Sequence, residues 1–244
     1  MKVSIIIRTR NEIGFINNCL EKIFSQVVDF KYEVILIDTE SNDGTLDVAK
    51  DYGLKVISIK QEDFSFPLSL NIGLPSAQGD FIVYISGHSY PENKYWLSNL
   101  ISPFEDDSII AVGGPIVMNP IYKDNPFLTF YDLNTNKTSS YYSTDNQFLS
   151  NTNTAYRKAI LSVNLFDEKI TDTEEKYWAN TMLIKYPDSK IYYSGGAIVC
   201  HSHPTNAIDI WNLNYSSGKW YASTYFLSNK EIKLFDIIKK TIKN

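Results

Sequence analysis

Apolar residues along the first half of the chain fall into short runs that alternate with helically spaced sets. Val3–Ile7, apolar but for Ser4, is a run of the kind buried on both faces of a parallel sheet. Ile13, Ile16, Leu20, Ile23 and Val27 then recur at helical spacing, with Asn11 placed to cap the helix. Tyr32–Ile37 predicts a second strand, which ends at Asp38 and the turn-forming Ser41-Asn42-Asp43-Gly44. A short helix over 45–51, with Thr45 as its cap, and a strand over 55–59 follow. A helix over 67–77 and strands over 81–85 and 109–112 complete the pattern. Strand–helix alternation at these lengths predicts an α/β fold whose parallel sheet is joined by right-handed crossovers. Ligands of such sheets sit outside the carboxyl ends of the strands. Residues 8–12, 38–41 and 86–89 therefore border one crevice.

Beyond Gly113-Gly114-Pro115 the period is lost. Residues 119–151 are rich in Asn, Thr, Ser, Asp and Tyr, the composition of a long functional loop or of a bland insertion. Order is expected again at 152–160, in a turn at 164–168, in a helix over 173–185 carrying Trp178 and Met182 on one face, and in strands over 190–193 and 197–200. The tail from 209 reads as helical, with interruptions near Gly218 and Ser228-Asn229. These patterns divide the chain into a first half, 1–115, a second half of the same domain, 116–205, and a helical tail, 206–244.

Composition narrows the class. With 244 residues and 43% hydrophobic content, the chain can bury a full core. It carries 23 basic against 28 acidic side chains, so no basic face exists on the scale that bulk nucleic-acid binding demands. The two cysteines, Cys19 and Cys200, lie in apolar segments and are expected as buried thiols of a reducing compartment. The apolar run at the N-terminus is shorter than a signal-peptide core, and no window reaches the roughly 18 residues of a membrane span. A cytoplasmic protein is the expectation.

Four segments carry candidate chemistry: Arg8-Thr9-Arg10-Asn11-Glu12 after the first strand, Asp38 to Thr45 after the second, Ser86-Gly87-His88-Ser89 after the fourth, and Phe166-Asp167-Glu168 followed by Thr173-Glu174-Glu175. In this order and spacing they resemble the family 2 glycosyltransferases of the GT-A fold, closest to rhamnosyltransferase-like members that build bacterial surface polysaccharides. The resemblance spans about residues 3–205. It implies a GT-A type α/β fold: a mostly parallel central sheet flanked by helices, a nucleotide-sugar-binding half, a smaller acceptor-side region with the catalytic base, and the helical tail. It also implies an inverting transfer of a sugar from a UDP or dTDP donor to a saccharide or lipid-linked acceptor.

On that resemblance, Thr9, Arg10 and Glu12 border the nucleotide, and Asp38 accepts a hydrogen bond from the N–H of a uracil or thymine, a task suited to an acceptor-only group. Asn71 matches a donor-side Asn-x-x-Gly-like segment with Gly73, and is equally explained as a helix-end residue. The family's metal-binding Asp-x-Asp is replaced by Ser86-Gly87-His88, a poorer site for Mg²⁺. A divalent ion, Mn²⁺ or Mg²⁺, would depend on His88 together with His201 and His203, which with it are all the histidines of the chain. Glu175 is the expected general base, with Glu174 next to it as the alternative. Two bland readings stand beside these: the glutamates as exposed charges of a first helical turn, and the chain as a sugar- or nucleotide-binding protein that kept the fold without the activity. In the tail, Lys230, Lys233, Lys239, Lys240 and Lys243 flank Ile232, Leu234, Phe235, Ile237, Ile238 and Ile242. That spacing suits a helix lying on an anionic membrane surface, and equally one packed on the domain or on a second subunit.

Overall fold

A computed structural model describes residues 1–119, 139–143, 148–170 and 173–201. In chain order the elements are β1 (Lys2–Thr9), α1 (Ile16–Phe24), β2 (Lys31–Asp38), α2 (Thr45–Asp51), β3 (Lys55–Ser58), α3 (Phe66–Asn71), β4 (Phe81–Ser86), β5 (Ser89–Pro91), α4 (Trp96–Ile101), β6 (Ile109–Gly113), β7 (Ile116–Met118), β8 (Tyr141–Ser143), β9 (Asn153–Arg157), α5 (Lys158–Leu161), α6 (Glu174–Lys185), β10 (Lys190–Tyr193) and β11 (Val199–His201). His203, most of the 119–151 loop and the whole tail from 206, with its basic amphipathic stretch, lie outside the described residues.

Eight strands form the main sheet in the order β3-β2-β1-β4-β9-β6-β10-β8. β1, β2, β3 and β4 run parallel, as the strand–helix alternation predicts. β9 is the exception that the alternation pattern did not contain. It runs antiparallel to both β4 and β6 and separates them. The expected loop over 119–151 also holds an edge strand, β8, antiparallel to β10, where Tyr141 stacks on Tyr193 with ring centroids 5.0 Å apart. A second sheet, β5-β11-β7, brings the expected strand near Ala197 to lie beside the segment following β4.

Alternate residues of β1 serve two cores. Val3, Ile5 and Ile7 pack with α1 and α4, whereas Ile6 packs with Leu70, Tyr84, Tyr156 and Trp178 on the face covered by α3 and α6. Cys19 and Cys200 are buried free thiols, as expected. Among the described residues no helix is long and apolar enough to cross a membrane.

Two helix boundaries differ from the pattern. Asn11 does not cap α1. It sits in the left-handed region at φ 52°, and the first N–H groups of the helix are met instead by the Glu12 carbonyl, which accepts from Phe15 and Ile16 at 2.8 Å each. Ile13 and Val27 accordingly fall outside the helix and stay 46% and 52% exposed. The expected helix over 67–77 stops at Asn71, and a single 3₁₀ turn over Leu74–Ser76 follows, with Ser65 capping its start by accepting from Leu68 N–H. Pro75 explains the break, because it has no N–H for a continuing helix.

Candidate active site

The crevice begins where β1 and β2 end. Their two loops are tied together by four hydrogen bonds: Asn11 N–H to Ser41 Oγ, Asn42 N–H to Asn11 Oδ1, Glu12 N–H to Thr45 Oγ1, and Ile13 N–H to Asp43 Oδ2. The turn residues Ser41–Thr45 thus fix the neighbouring loop as well as their own. Thr45 is not the cap of α2: Gly44 at φ 101° takes that position, and the Thr45 hydroxyl donates to Asp43 while accepting from Glu12.

Asp38 closes β2 and is 1% exposed. Its Oδ2 accepts from Ser41 N–H at 3.0 Å, while its buried Oδ1 has no partner among the described residues. A desolvated carboxylate oxygen without a donor is costly, and it is stabilised when a ligand N–H reaches it. Thr9, aligned with Asp38 in the β1–β2 register, carries a buried Oγ1 in the same condition. Arg10 is exposed on the loop that follows. Asn71 is engaged elsewhere: its amide donates to Phe166 carbonyl at 2.9 Å and accepts from Phe166 N–H at 3.1 Å. That reciprocal pair clamps the 164–168 turn onto α3.

Ser86-Gly87-His88 leaves β4 beside β1. Gly87 donates its N–H to Arg8 carbonyl, and a Cβ added there would lie 2.8 Å from Thr9 Oγ1 and 3.0 Å from Thr9 Cβ. Gly87→Ala must therefore displace Thr9, at about 1–3 kcal/mol for an overpacked site. Thermal unfolding should show a Tm lower by several degrees; an unchanged Tm would mean that Thr9 yields freely.

His88 is held from behind. Its Nδ1 meets Glu12 Oε1 at 2.6 Å, and its Nε2 lies 2.8 Å from His201 Nε2, with the two rings stacked at 4.7 Å. In the neutral pair, Nδ1–H donates to Glu12, so His88 Nε2 bears the lone pair and His201 donates to it. The expected clustering is met for these two histidines because the β5–β11 register sets His201 opposite Ser89.

Across the sheet face, α6 opens on two glutamates that are buried, Glu174 at 4% and Glu175 at 6% exposure. They are not the exposed charges of a first helical turn. Asn151 Nδ2 donates to Glu174 Oε1 at 2.9 Å and lies 3.4 Å from Glu175 Oε2, and Tyr156 O–H donates to Asn151 Oδ1 at 2.8 Å. Carboxylates accept only, so this chain fixes which end of the amide faces them. Burial, with the Glu174 charge second, pushes Glu175 up to about 8.

Two residues of this site had no place in the sequence reading, Asn151 and Tyr156, and a third, Arg8, was placed at the crevice without a role. Asn151 lay in an aperiodic stretch and Tyr156 in a strand with no chemical motif. Arg8 did carry a signal, since a cation ending an apolar strand run stands at the carboxyl edge of the sheet.

The profile of Glycosyl transferase family 2 matches residues 4–164, about two thirds of the chain. The chain belongs to this family. As a family 2 glycosyltransferase it is 28% identical over 202 residues to the O-antigen chain rhamnosyltransferase WbaN of Salmonella anatum, covering 78% of this chain and 62% of that one. It is 35% identical over 127 residues to the dolichyl N-acetyl-alpha-D-glucosaminyl phosphate 3-beta-D-2,3-diacetamido-2,3-dideoxy-beta-D-glucuronosyltransferase of Methanococcus voltae, covering 47% and 39%. The chain thus spans between two fifths and three fifths of the length of these relatives. Among solved structures, the mannosyltransferase PcManGT from Pyrobaculum calidifontis, in complex with GDP-Man and Mn²⁺, superposes with a TM-score of 0.66 at 19% identity, covering 95% of this chain and 65% of that one. That likeness establishes the GT-A fold.

This family 2 glycosyltransferase holds its imidazoles where the resemblance placed a metal. Among the described residues no group of three or more His, Cys, Asp or Glu side chains is placed to hold a metal ion. The Nε2 atoms of His88 and His201 nevertheless lie side by side, 2.8 Å apart in a mutual hydrogen bond, and a carboxylate on the far nitrogen of His88 is the arrangement that orients a ligating histidine. Imidazole donors fit Mn²⁺ better than Mg²⁺, which asks for oxygen ligands.

Proposed function

We propose that this protein is an inverting glycosyltransferase of surface polysaccharide synthesis. It takes a UDP or dTDP sugar as donor and a hydroxyl of a saccharide or lipid-linked saccharide as acceptor. The observation that carries the reading is Glu175, a buried carboxylate with a raised pKa at the crevice, held with Glu174 by the Asn151 amide.

The transfer is a single displacement. The acceptor oxygen attacks the anomeric carbon from the face opposite the diphosphate, the bond from that carbon to the diphosphate oxygen breaks, and Glu175 receives the hydroxyl proton. Inversion follows because only one displacement occurs. Asp38 Oδ1 reads the N–H of the base, and Thr9 Oγ1 lies beside it to meet the nucleoside. Glu12 fixes the ring of His88, and His88 and His201 would hold a divalent ion, Mn²⁺ in preference to Mg²⁺. Such an ion, when bound, supplies Lewis-acid stabilisation to the departing diphosphate. The buried carboxylate pair disfavours a protein that kept the fold without catalysis, since such burial is costly without a task. WbaN, by its name a rhamnosyltransferase of an O-antigen chain, supports the polysaccharide setting, and the Methanococcus voltae relative, by its name a transferase acting on a dolichyl-linked sugar, supports a lipid-linked acceptor.

The test is a panel of nucleotide sugars with the anomeric configuration of the product read by NMR; retention would overturn the single displacement. Base choice is tested separately by calorimetry. UDP or dTDP should bind more tightly than GDP or ADP, and Asp38→Asn should weaken the pyrimidine nucleotides by about 10–100-fold, the worth of a hydrogen bond to a charged group. GDP binding best would remove the pyrimidine assignment.

A further inference from the structure

We infer that Arg8 is the fixed cation that binds the diphosphate of the donor, an assignment that rests on the nucleotide-sugar reading above. Arg8 lies in the last turn of the β1 pleat, aligned with Ile37 of β2 on one side and with Ser86 of β4 on the other. It therefore stands between the strand that ends in Asp38 and the strand that leads into Gly87-His88. Its guanidinium lies 5.3 Å from the centroid of the Phe66 ring, at the start of α3. Stacking holds a guanidinium by its face and leaves its edge of N–H donors available.

Those donors have nothing to bond. Arg8 Nε and Nη1 are both buried without a hydrogen-bond partner among the described residues. An arginine cannot relieve this by losing its proton, because guanidinium stays charged at every pH at which the protein is folded. Nor does the glutamate pair serve: Glu175 is close enough to feel its charge, but neither Glu174 nor Glu175 forms an ion pair with it, and the Asn151 amide bridges them instead. A half-buried cation with two buried, unbonded N–H donors calls for an oxyanion from outside the chain.

Position selects which oxyanion. The diphosphate joins the nucleoside, expected at Asp38, to the anomeric carbon, expected near Glu175, and Arg8 feels charge from the Glu175 side while standing one strand from Asp38. A guanidinium fork matches a phosphate bidentately. It also supplies permanent positive charge beside a motif, Ser86-Gly87-His88, that contains no carboxylate to gather a metal. Charge that develops on the leaving oxygens would then be met by Arg8 whether or not an ion is bound.

The experiment uses the full chain in excess chelator, so that no divalent ion contributes. Calorimetry compares uridine or thymidine with the corresponding diphosphate on wild type, Arg8→Gln and Arg8→Lys. The expected result is that Arg8→Gln loses about 10–100-fold in diphosphate affinity and keeps nucleoside affinity, and that Arg8→Lys recovers part of the loss as a point charge without the fork. Unchanged nucleoside binding also shows that the variant is folded. Diphosphate affinity in Arg8→Gln equal to wild type would overturn the assignment. Wild type that binds neither nucleoside nor diphosphate sinks the donor reading itself, and the assignment with it. If Arg8→Gln does not fold, thermal unfolding with inorganic pyrophosphate decides: wild type should be stabilised more than Arg8→Lys, and equal stabilisation overturns the role.

Discussion

Glu175→Gln is expected to lower turnover by about 10²–10⁴-fold, the usual contribution of a positioned general base, while leaving donor affinity close to wild type. The amide keeps the shape of the carboxyl and its reach to the Asn151 amide, but it cannot take the proton from the acceptor hydroxyl. In the proposed roles, with Glu175 at the acceptor and Asp38 at the nucleoside, calorimetry with the donor should register almost nothing. Burial and the Glu174 charge raise the Glu175 pKa towards neutral solution, where a general base is most effective.

Glu174→Gln should act differently, and the structure changes the reason. From sequence, adjacent residues on a helix point in different directions, so Glu174 would be a bystander. In the fold both are buried and both reach Asn151, with Glu174 the nearer, at 2.9 Å against 3.4 Å. Glu174 acts on Glu175 chiefly through its charge. Neutralising it should lower the pKa of Glu175 and preserve activity in mildly acidic solution. An inactive Glu174→Gln beside an active Glu175→Gln would move the base by one position and keep the mechanism. Full activity in both would place the base elsewhere.

Much of this was legible in the chain. The apolar runs of β1, β2 and β4 mark buried parallel strands, and the polar residues that follow each run mark the crevice, because ligands gather at the carboxyl ends. The position of β9 was not legible. An antiparallel strand inserted between parallel ones leaves no trace in alternation, since Asn153–Arg157 carries no apolar run. The start of α1 was misplaced because Ile13 continues the helical period while Asn11 breaks the backbone into the left-handed region, a choice fixed by bonds to Ser41 and Asn42 far along the chain. The two histidines could be paired from topology. What could not be read was the support beneath the carboxylates: Asn151 and Tyr156 become site residues only when β9 brings them under α6.

That support leads to an experiment in which activity and stability move in opposite directions with pH. A carboxyl pushed up to about 8 in the folded chain, against an ordinary value of 4.5, holds a proton that the unfolded chain has released across the interval between them. Folding therefore takes up a proton there, and stability is full below about 4.5 and lost as pH rises towards 8. Catalysis needs the ionised form, so kcat/KM should climb about tenfold per pH unit below the apparent pKa of the pair and level above it. Thermal unfolding and initial rates measured from pH 5.5 to 9 should thus cross, with Tm falling as activity rises. Glu175→Gln should flatten the Tm slope. Asn151→Leu should shift both curves to higher pH, because the amide donates to the charged forms and its loss disfavours them further. The variant would be weak at neutral pH and recover in alkaline solution. A deficit in Asn151→Leu that is equal at every pH would reduce Asn151 to packing. A wild-type rate that is flat across the interval would mean that Glu175 is not the group that accepts the proton.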